Sequence, residues 1–197
     1  MSATDWYSIP LALVESIEII RGAQSGTYGN HAVGGVIKIN TKLPKLESTG
    51  SLEASTGSFD SFNVRGAYSK KIGEIGLTIF GEQAESDGYR MNGDHKTDAG
   101  GLRLDWGSES DVKGYFSWGL SNSDFGLPGD LNASSLAADR RQTTDPNDQG
   151  NDRSAHARSG LSYNINDQWR LENRFGYQDR RVRAVSYTHL RAHETFA

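Results

Sequence analysis

Several groupings of side chains in this sequence could carry chemistry, and each can be tested against what that chemistry needs. Glu15 and Glu18 could serve as a general acid/base pair. Their three-residue spacing inside an alternating β-branched run puts them on opposite faces of a strand, where two carboxylates cannot act on one substrate. Gly29 and Gly34 have the four-residue gap of a phosphate-binding loop, but Gly35 and Val36 stand where a lysine and a magnesium-holding hydroxyl belong. No helix-period pattern follows them, so no helix N-terminus is on offer to an anion. Asp145, Asn147 and Gly150 approach a calcium loop, yet Gln149 interrupts the pattern and no glutamate closes it. His189 and His193 stand at i, i+4 beside Glu194 without the HExxH order of a zinc site. There is no G-x-S-x-G elbow, and with no cysteine there is neither a thiolate ligand nor a disulfide framework. The reading is a non-enzyme, with no catalytic residues, no resident metal and no cofactor.

The elements that hold these residues are strands. Val14-Glu15-Ser16-Ile17-Glu18-Ile19-Ile20 alternates as a half-buried strand does, and Arg21-Gly22 ends it. Gly26, Gly29, Gly34 and Gly35 then mark turns or close backbone approaches, and Val36-Ile37-Lys38-Ile39-Asn40-Thr41 alternates again. Two short strands thus flank a glycine-rich connection, with one arginine at the first corner.

Residues 9–42 resemble the end of the plug domain of TonB-dependent outer-membrane receptors. That family's pattern is an Ile-Pro, an I-E-x-I-E-V-x-R-G-P run, a Y-G, then A-x-G-G-V-I-N-I-x-T-K. Here stand Ile9-Pro10, Ser16-Ile17-Glu18-Ile19-Ile20-Arg21-Gly22, Tyr28-Gly29 and Ala32-Val33-Gly34-Gly35-Val36-Ile37-Lys38-Ile39-Asn40-Thr41-Lys42. Ala23 replaces the usual proline and Lys38 the usual asparagine. The resemblance implies plug–barrel contacts for Arg21 and Glu18, with Arg21 matching a plug arginine that pairs with barrel carboxylates. It gives Gly22, Gly29, Gly34 and Gly35 the role of plug-loop glycines. If Arg21 were buried without a partner it would cost about several kcal/mol, so looseness is expected there.

Composition sets the remaining bounds. The net charge of −4 offers no basic face to nucleic acid. Mean hydropathy is −0.63, and no run approaches the ~20 apolar residues of a spanning helix. A β-barrel escapes that limit, because only alternate residues face lipid. The start, Met1-Ser2-Ala3-Thr4-Asp5-Trp6-Tyr7, has no signal-peptide pattern, which leads to the expectation that the N-terminal part is missing. Residues 185–197 abandon strand alternation and resemble sequencing-adapter read-through, so they are expected to be a non-native tail.

Between 46 and 184 the pattern is two-residue alternation. Phe62, Val64, Gly66 and Tyr68 oppose Asn63, Arg65, Ala67 and Ser69; Ile75, Leu77 and Ile79 oppose Gly76, Thr78 and Phe80. Leu102, Leu104 and Trp106 oppose Arg103 and Asp105, while Val112, Phe116, Trp118 and Leu120 oppose Lys113, Tyr115 and Ser117. Leu161 and Tyr163 close one strand; Leu171, Phe175 and Tyr177 line another against Arg170, Glu172 and Arg174. With residues 46–57 this predicts about seven strands of the ~9–11 residues a tilted membrane strand needs. Mid-strand charges suit a wet lumen, and Tyr68, Trp106, Trp118, Tyr163, Trp169 and Tyr177 suit an aromatic girdle. Short turns at 70–74, 107–111 and 164–167 alternate with loops at 85–96 and 122–153, the two sides of an outer-membrane barrel, with the short 57–60 connection a mild exception. An antiparallel sandwich with one solvated face is the rival architecture.

The loops Ser86-Asp87-Gly88-Tyr89-Arg90 with Asn92, and Gly126-Leu127-Pro128-Gly129 with Asp139-Arg140-Arg141, resemble the family's early extracellular loops. The fold expected is an all-β membrane protein: part of a large, 22-strand-type antiparallel transmembrane β-barrel with an N-terminal α/β plug, truncated at both ends. Residues 1–42 are assigned to the plug, 43–184 to the first seven or so barrel strands, and 185–197 to the tail. Seven strands cannot close, so the chain is not expected to transport alone. The resemblance implies TonB-dependent uptake of a scarce ligand, foremost an iron–siderophore, across the outer membrane of a Gram-negative bacterium. The implied partners are TonB with its inner-membrane energising complex, the siderophore or another small ligand, and outer-membrane lipid. Ligand contacts are assigned to Gln24, Tyr28, Tyr89 and Arg90. The alternatives are an outer-membrane adhesion or ligand-binding β-barrel module without energised transport, and a soluble glycan-binding sandwich.

Overall fold

The computed structural model describes residues 14–41, 47–107 and 110–186. Strand β1 (Val14–Arg21) pairs antiparallel with β2 (Gly35–Thr41), and a one-turn helix α1 (Ser25–Tyr28) sits in the connection. The register places Ile17 opposite Ile39 and Ile19 opposite Ile37, so one face of the hairpin is a block of isoleucines. The other face carries Ser16, Glu18, Lys38 and Asn40, with Ile20 and Val36 at its loop end. A bulge between Val14 and Ser16 leaves Glu15 without a partner across the ladder.

The rest is a seven-stranded antiparallel meander with its strands in chain order: β3 (Thr49–Gly57), β4 (Ser61–Ile72), β5 (Ile75–Ser86), β6 (His95–Trp106), β7 (Val112–Gly126), β8 (Gln149–Asn164) and β9 (Arg170–Val185). Each residue's cross-strand partners are fixed, so the sheet can be followed row by row. One row runs Tyr68, Ile79, Leu102, Trp118, Ala157, Tyr177; the adjacent row on the opposite face runs Ser69, Thr78, Arg103, Ser117, Arg158, Gly176. Apolar and polar residues are therefore sorted onto two faces across the whole sheet, as the alternation predicted.

Which face is enclosed decides between a membrane sheet and a soluble sandwich. Thr78 and Ser154, on the polar face, are each only 3% exposed, whereas Ile79 and Leu120 on the apolar face are each 47% exposed. The buried hydroxyls pair across strands, Ser69 with Thr78 and Thr97 with Ser123, each at 3.0 Å. No second layer covers either face among the described residues, so the shielding of the polar side comes from within the sheet itself. Ion pairs line that side: Arg65 with Glu53 at 2.7 Å, Arg103 with Asp105 at 2.6 Å, and Arg180 with Asp152. The Arg103 guanidinium also lies 4.4 Å over the Tyr115 ring. A sandwich would cover the apolar face and solvate the polar one; this sheet does the reverse.

The apolar face ends at a definite level. Gln83, Asp98, Asn122, Arg153 and Arg181 form one continuous row on it, just beyond Leu120. On β7 the apolar stretch from Val112 to Leu120 rises about 20 Å at the usual strand tilt, close to the ~25 Å band that lipid requires. Trp106 and Tyr163 stand at the short-turn end of the apolar face; Tyr68, Trp118 and Tyr177 share one row below the polar level. Trp169 lies just outside β9, its carbonyl accepting the Ile165 N–H at 2.9 Å.

Strand ends differ from expectation on the long-loop side. The 122–153 loop shrinks to 127–148 because the ladder continues to Gly126 and restarts at Gln149; the 85–96 loop shrinks to 87–94. Beyond the apolar band both faces are polar, so hydropathy stops alternating while the backbone goes on pairing. Within the longer loop a short helix α2 (Ala133–Ala138) starts at Asn132, whose side chain accepts the Ser135 N–H. Strand β9 runs to Val185, and Ser186 donates to the Asp148 carboxylate at 2.7 Å, so the ladder enters the first residue assigned to the tail. His189, His193 and Glu194 lie outside the described residues.

Five rings lie over glycines directly opposite them: Phe80 over Gly101, Trp106 over Gly114, Tyr115 over Gly160, Phe125 over Gly150 and His156 over Gly119. The missing side chain is the space the ring occupies, and this recurrent pairing pins the register. A Cβ on Gly160 would stand 2.3 Å from the Tyr115 ring, whereas one on Gly81 would meet nothing nearer than 3.9 Å. Gly160→Val is expected to lower barrel stability by about 1–3 kcal/mol, and Gly81→Ala to change it by less than about 0.5 kcal/mol. Heat-dependent gel migration in detergent measures both; equal melting of the two variants contradicts the ring-over-glycine account.

Candidate functional site

The connection between β1 and β2 is a compact loop built on its own backbone. Gln24 N–H donates to the Ala32 carbonyl at 2.8 Å, and the Tyr28 and Thr27 N–H groups donate back to the Gln24 carbonyl at 2.9 and 3.1 Å. Gln24 and Tyr28 are thus brought into one turn, with Tyr28 exposed. Ala32, tucked under the turn, is the only buried apolar residue among those described. Gly22 and Gly29 have φ of 94° and 89°, left-handed conformations that a side chain would strain. Gly35 lies opposite Arg21, where a Cβ would come 2.6 Å from the Ile20 carbonyl oxygen. Gly34 has no left-handed φ, and a Cβ on it would meet nothing within 4 Å; its carbonyl accepts the Gly22 N–H at 3.2 Å.

Arg21 is exposed and forms no ion pair among the described residues, so no burial penalty arises there and the expected looseness has no physical cause. Glu18 is engaged inside the hairpin: its carboxylate accepts from Asn40 Nδ2 at 2.7 Å and from Lys38 Nζ at 3.2 and 3.3 Å. Lys38 stands directly opposite Glu18, so the lysine that replaces the family's asparagine meets a carboxylate across the ladder. The Asn40 amide first, then the Lys38 ammonium, hold the Glu18 carboxyl below its ordinary pKa.

At the long-loop end of the sheet, three connections meet. Phe59, in the turn between β3 and β4, has a φ of 61° and is fixed by the Asp87 N–H donating to its carbonyl at 2.9 Å. Its ring meets Tyr89 edge-on at 5.7 Å, and the Arg141 guanidinium lies 5.6 Å from Phe59 and 5.9 Å from Tyr89. Tyr89 and Phe59 remain half open to solvent. Arg90 turns the other way, its guanidinium donating to the carbonyls of Pro128, Gly129 and Gln142. The adjacent Tyr89 and Arg90 therefore do different work. Phe59 and Arg141 had no assigned role in the sequence reading. A bulky ring in a three-residue turn without glycine was the available signal for Phe59. Asp145 stays in the loop, while Gly150 lies in β8 beneath the Phe125 ring, so the calcium-like spacing is divided between two elements.

Residues 1–36 match the family described as the TonB-dependent Receptor Plug Domain. The chain is 37% identical over 107 residues to a protein of Vibrio cholerae named vitamin B12 transporter BtuB, covering 52% of this chain and 18% of that one. Its fold superposes on the ferric yersiniabactin uptake receptor FyuA of Yersinia pestis with a TM-score of 0.81 at 19% identity, over 89% of this chain and 30% of that one. Together these likenesses support a fragment of a TonB-dependent receptor. The ferric-catecholate import receptor Fiu of E. coli K12 shares the fold as well, with a TM-score of 0.72 at 18% identity over 87% of this chain and 29% of that one. The seven-stranded meander accordingly has the fold of a sector of such a receptor's barrel, and the matched plug region ends at Val36, two residues into β2. The chain spans less than a fifth of the curated relative's length.

The hairpin yields a measurable titration. Because the Glu18 pKa is depressed in the folded state, its stabilising contribution is present above the ordinary carboxylate pKa and is lost as pH falls through the lowered value. In side-chain NMR titrations, Asn40→Ala and Lys38→Met are each expected to raise the Glu18 pKa towards the ordinary value. An unchanged titration in both variants contradicts the assigned partners.

Proposed function

We propose that this chain carries the plug–barrel junction and the first seven strands of an outer-membrane receptor that takes up a scarce small ligand with energy supplied through TonB. The observation that carries the reading is a sheet with its apolar face out and its polar, ion-paired face enclosed, in one chain with a hairpin whose first strand and connecting loop match the plug family. Residues 1–42 belong to the plug in this proposal and 43–185, to the end of β9, belong to the barrel, with the residues after Val185 outside the receptor. Short turns face the periplasm, and the Phe59–Tyr89–Arg141 cluster faces the cell exterior.

Ligand contacts are proposed for Gln24 and Tyr28 on the plug loop and for Tyr89 on the outer loops, with Phe59 and Arg141 beside it. Arg21 is proposed to pair with barrel carboxylates, and Glu18 to orient the hairpin face that carries Lys38 and Asn40. Siderophore-bound iron is the proposed cargo, in keeping with the uptake receptors that share the fold. Cobalamin is the second reading, favoured by the 37% identity to a B12 transporter. Both are bulky chelates that pass poorly through open pores, which is the need an energised receptor meets.

A full-length receptor bearing these residues, expressed in a strain without its own siderophore and cobalamin receptors, should accumulate one of the two labelled chelates. Accumulation should vanish when TonB is deleted, while surface binding remains. Tyr89→Ala should weaken binding about tenfold, or ~1.4 kcal/mol. Binding with no TonB-dependent accumulation would favour the adhesion or ligand-binding module instead.

A further inference from the structure

The loop 127–148 is held by its own Thr143 and Gln142 side chains and by two side chains that do not belong to it. Arg90 Nη1 donates to the Gly129 carbonyl at 2.7 Å and Nη2 to the Pro128 carbonyl at 3.0 Å, on the loop's outgoing leg. Nε and Nη2 donate to the Gln142 carbonyl at 3.2 and 3.0 Å, on the returning leg. Asn92 repeats the arrangement one step nearer the sheet. Its Nδ2 lies 3.3 Å from the Leu127 carbonyl on one leg, and 2.6 and 2.8 Å from the Asp145 and Asp148 carbonyls on the other. Each side chain bridges both legs. Asn92 has a φ of 55°, and a Cβ on Gly126 at the loop's root would stand 2.3 Å from the Asn92 carbonyl oxygen, so the two backbones touch.

These carbonyls lie outside the strand ladder; the Pro128 carbonyl also accepts the Thr143 hydroxyl at 2.9 Å from within the loop. The loop's only helix among the described residues is α2, and its legs share few backbone bonds: Leu127 N–H to Asp148 O at 2.9 Å and Thr144 N–H to Pro128 O at 3.1 Å. Two further bonds join the loops, Met91 N–H to Arg141 O at 2.7 Å and Arg141 Nε to Tyr89 O at 3.0 Å. The segment is also divided by residue. Arg90 and Asn92 point to carbonyls, while Tyr89 and Met91 stay 50% and 58% exposed.

We propose that Arg90 and Asn92 are positioning residues that staple the 127–148 loop into its binding shape before ligand arrives, leaving Tyr89, Phe59 and Arg141 as the surface that meets it. The contact role given to Arg90 on the strength of its motif is replaced by this one. The inference rests on the receptor reading. Its physical content is pre-organisation: a loop ordered in advance need not be ordered by the ligand, so the staple acts on the fraction of receptor that is competent to bind. The planar fork of arginine supplies several directed donors at once, which a lysine ammonium cannot reproduce.

The test uses the full-length receptor in detergent, with Arg90→Ala, Arg90→Lys and Asn92→Ala, each checked for heat-resistant barrel migration. Without ligand, hydrogen exchange within 127–148 should speed up about tenfold or more in all three variants, while β7 and β8 amides stay protected. Unchanged loop exchange in Arg90→Ala overturns the staple whatever the ligand is; wild-type exchange in Arg90→Lys overturns the role of the fork. Binding of a ferric catecholate and of cobalamin is then timed. The association rate should fall about tenfold with dissociation altered less than about twofold; a loss carried by dissociation makes Arg90 a direct contact and overturns the positioning role. If neither probe binds the wild-type receptor, the uptake reading fails, and loop exchange alone decides whether these two residues hold the loop.

Discussion

A β-strand between lipid and water must satisfy its backbone and its side chains by separate means. Backbone groups have no water to turn to on the lipid side, so each must be paired with a neighbouring strand. Side chains must change polarity at every residue, because successive residues face opposite media. Together these conditions fix the register. A one-residue slip of β6 would turn Arg103 and Asp105 towards lipid and bring Leu102 and Leu104 into the ion-paired interior. An arginine on the lipid face near the midplane costs about 2–4 kcal/mol, so a slip across several strands would exceed the stability of most folds. The polar row from Gln83 to Arg181 follows from the same condition. Above that level both faces can be polar, the constraint on alternation lapses, and the chain is free to build loops.

That lapse explains what was legible in the sequence. Both hairpin strands, the seven-strand meander, the sorting of its faces and the sides of its short and long connections all follow from apolar periodicity. Strand ends on the outer side were misplaced because Asn122, Asp124 and Arg153 are polar on the apolar face, yet their backbones still pair. The plug-loop glycines were identifiable by type, but their reasons differ. Gly22 and Gly29 need a left-handed backbone and Gly35 a close approach, whereas Gly34 shows neither among the described residues. Glu18, to which the resemblance gives a plug–barrel contact, has Lys38 and Asn40 as partners among the described residues, which only the hairpin register could reveal.

Glycines within the strands show the same dependence on register. Read singly, Gly101, Gly114, Gly119, Gly150 and Gly160 weaken their strands, since glycine loses more entropy on ordering than other residues. Read across the ladder, each lies under a ring on the adjacent strand. The ring covers backbone that a side chain would otherwise cover, and the cost of the glycine is offset by burial of an aromatic face. Pairings of this kind are invisible until both partners are placed. They then make the register more specific than polarity alone, because a slip by two residues preserves alternation but strips every ring of its glycine.

The outer loops face a different problem from the strands: their carbonyls have no ladder. Water can satisfy them, but a loop satisfied by water has no preferred shape, and a binding surface carried on it must be ordered at each encounter. Side-chain donors from a neighbouring loop solve this without adding secondary structure. Arginine and asparagine suit the task because several N–H groups converge from one side chain, and their placement at Arg90 and Asn92 lets each reach both legs of the longer loop. Met91, between the two inward-facing donors, and Tyr89, just before them, are left exposed. A short motif that reads as a ligand contact from its residue types thus divides into a scaffold half and a contact half. The scaffold half satisfies carbonyls that the sheet cannot reach.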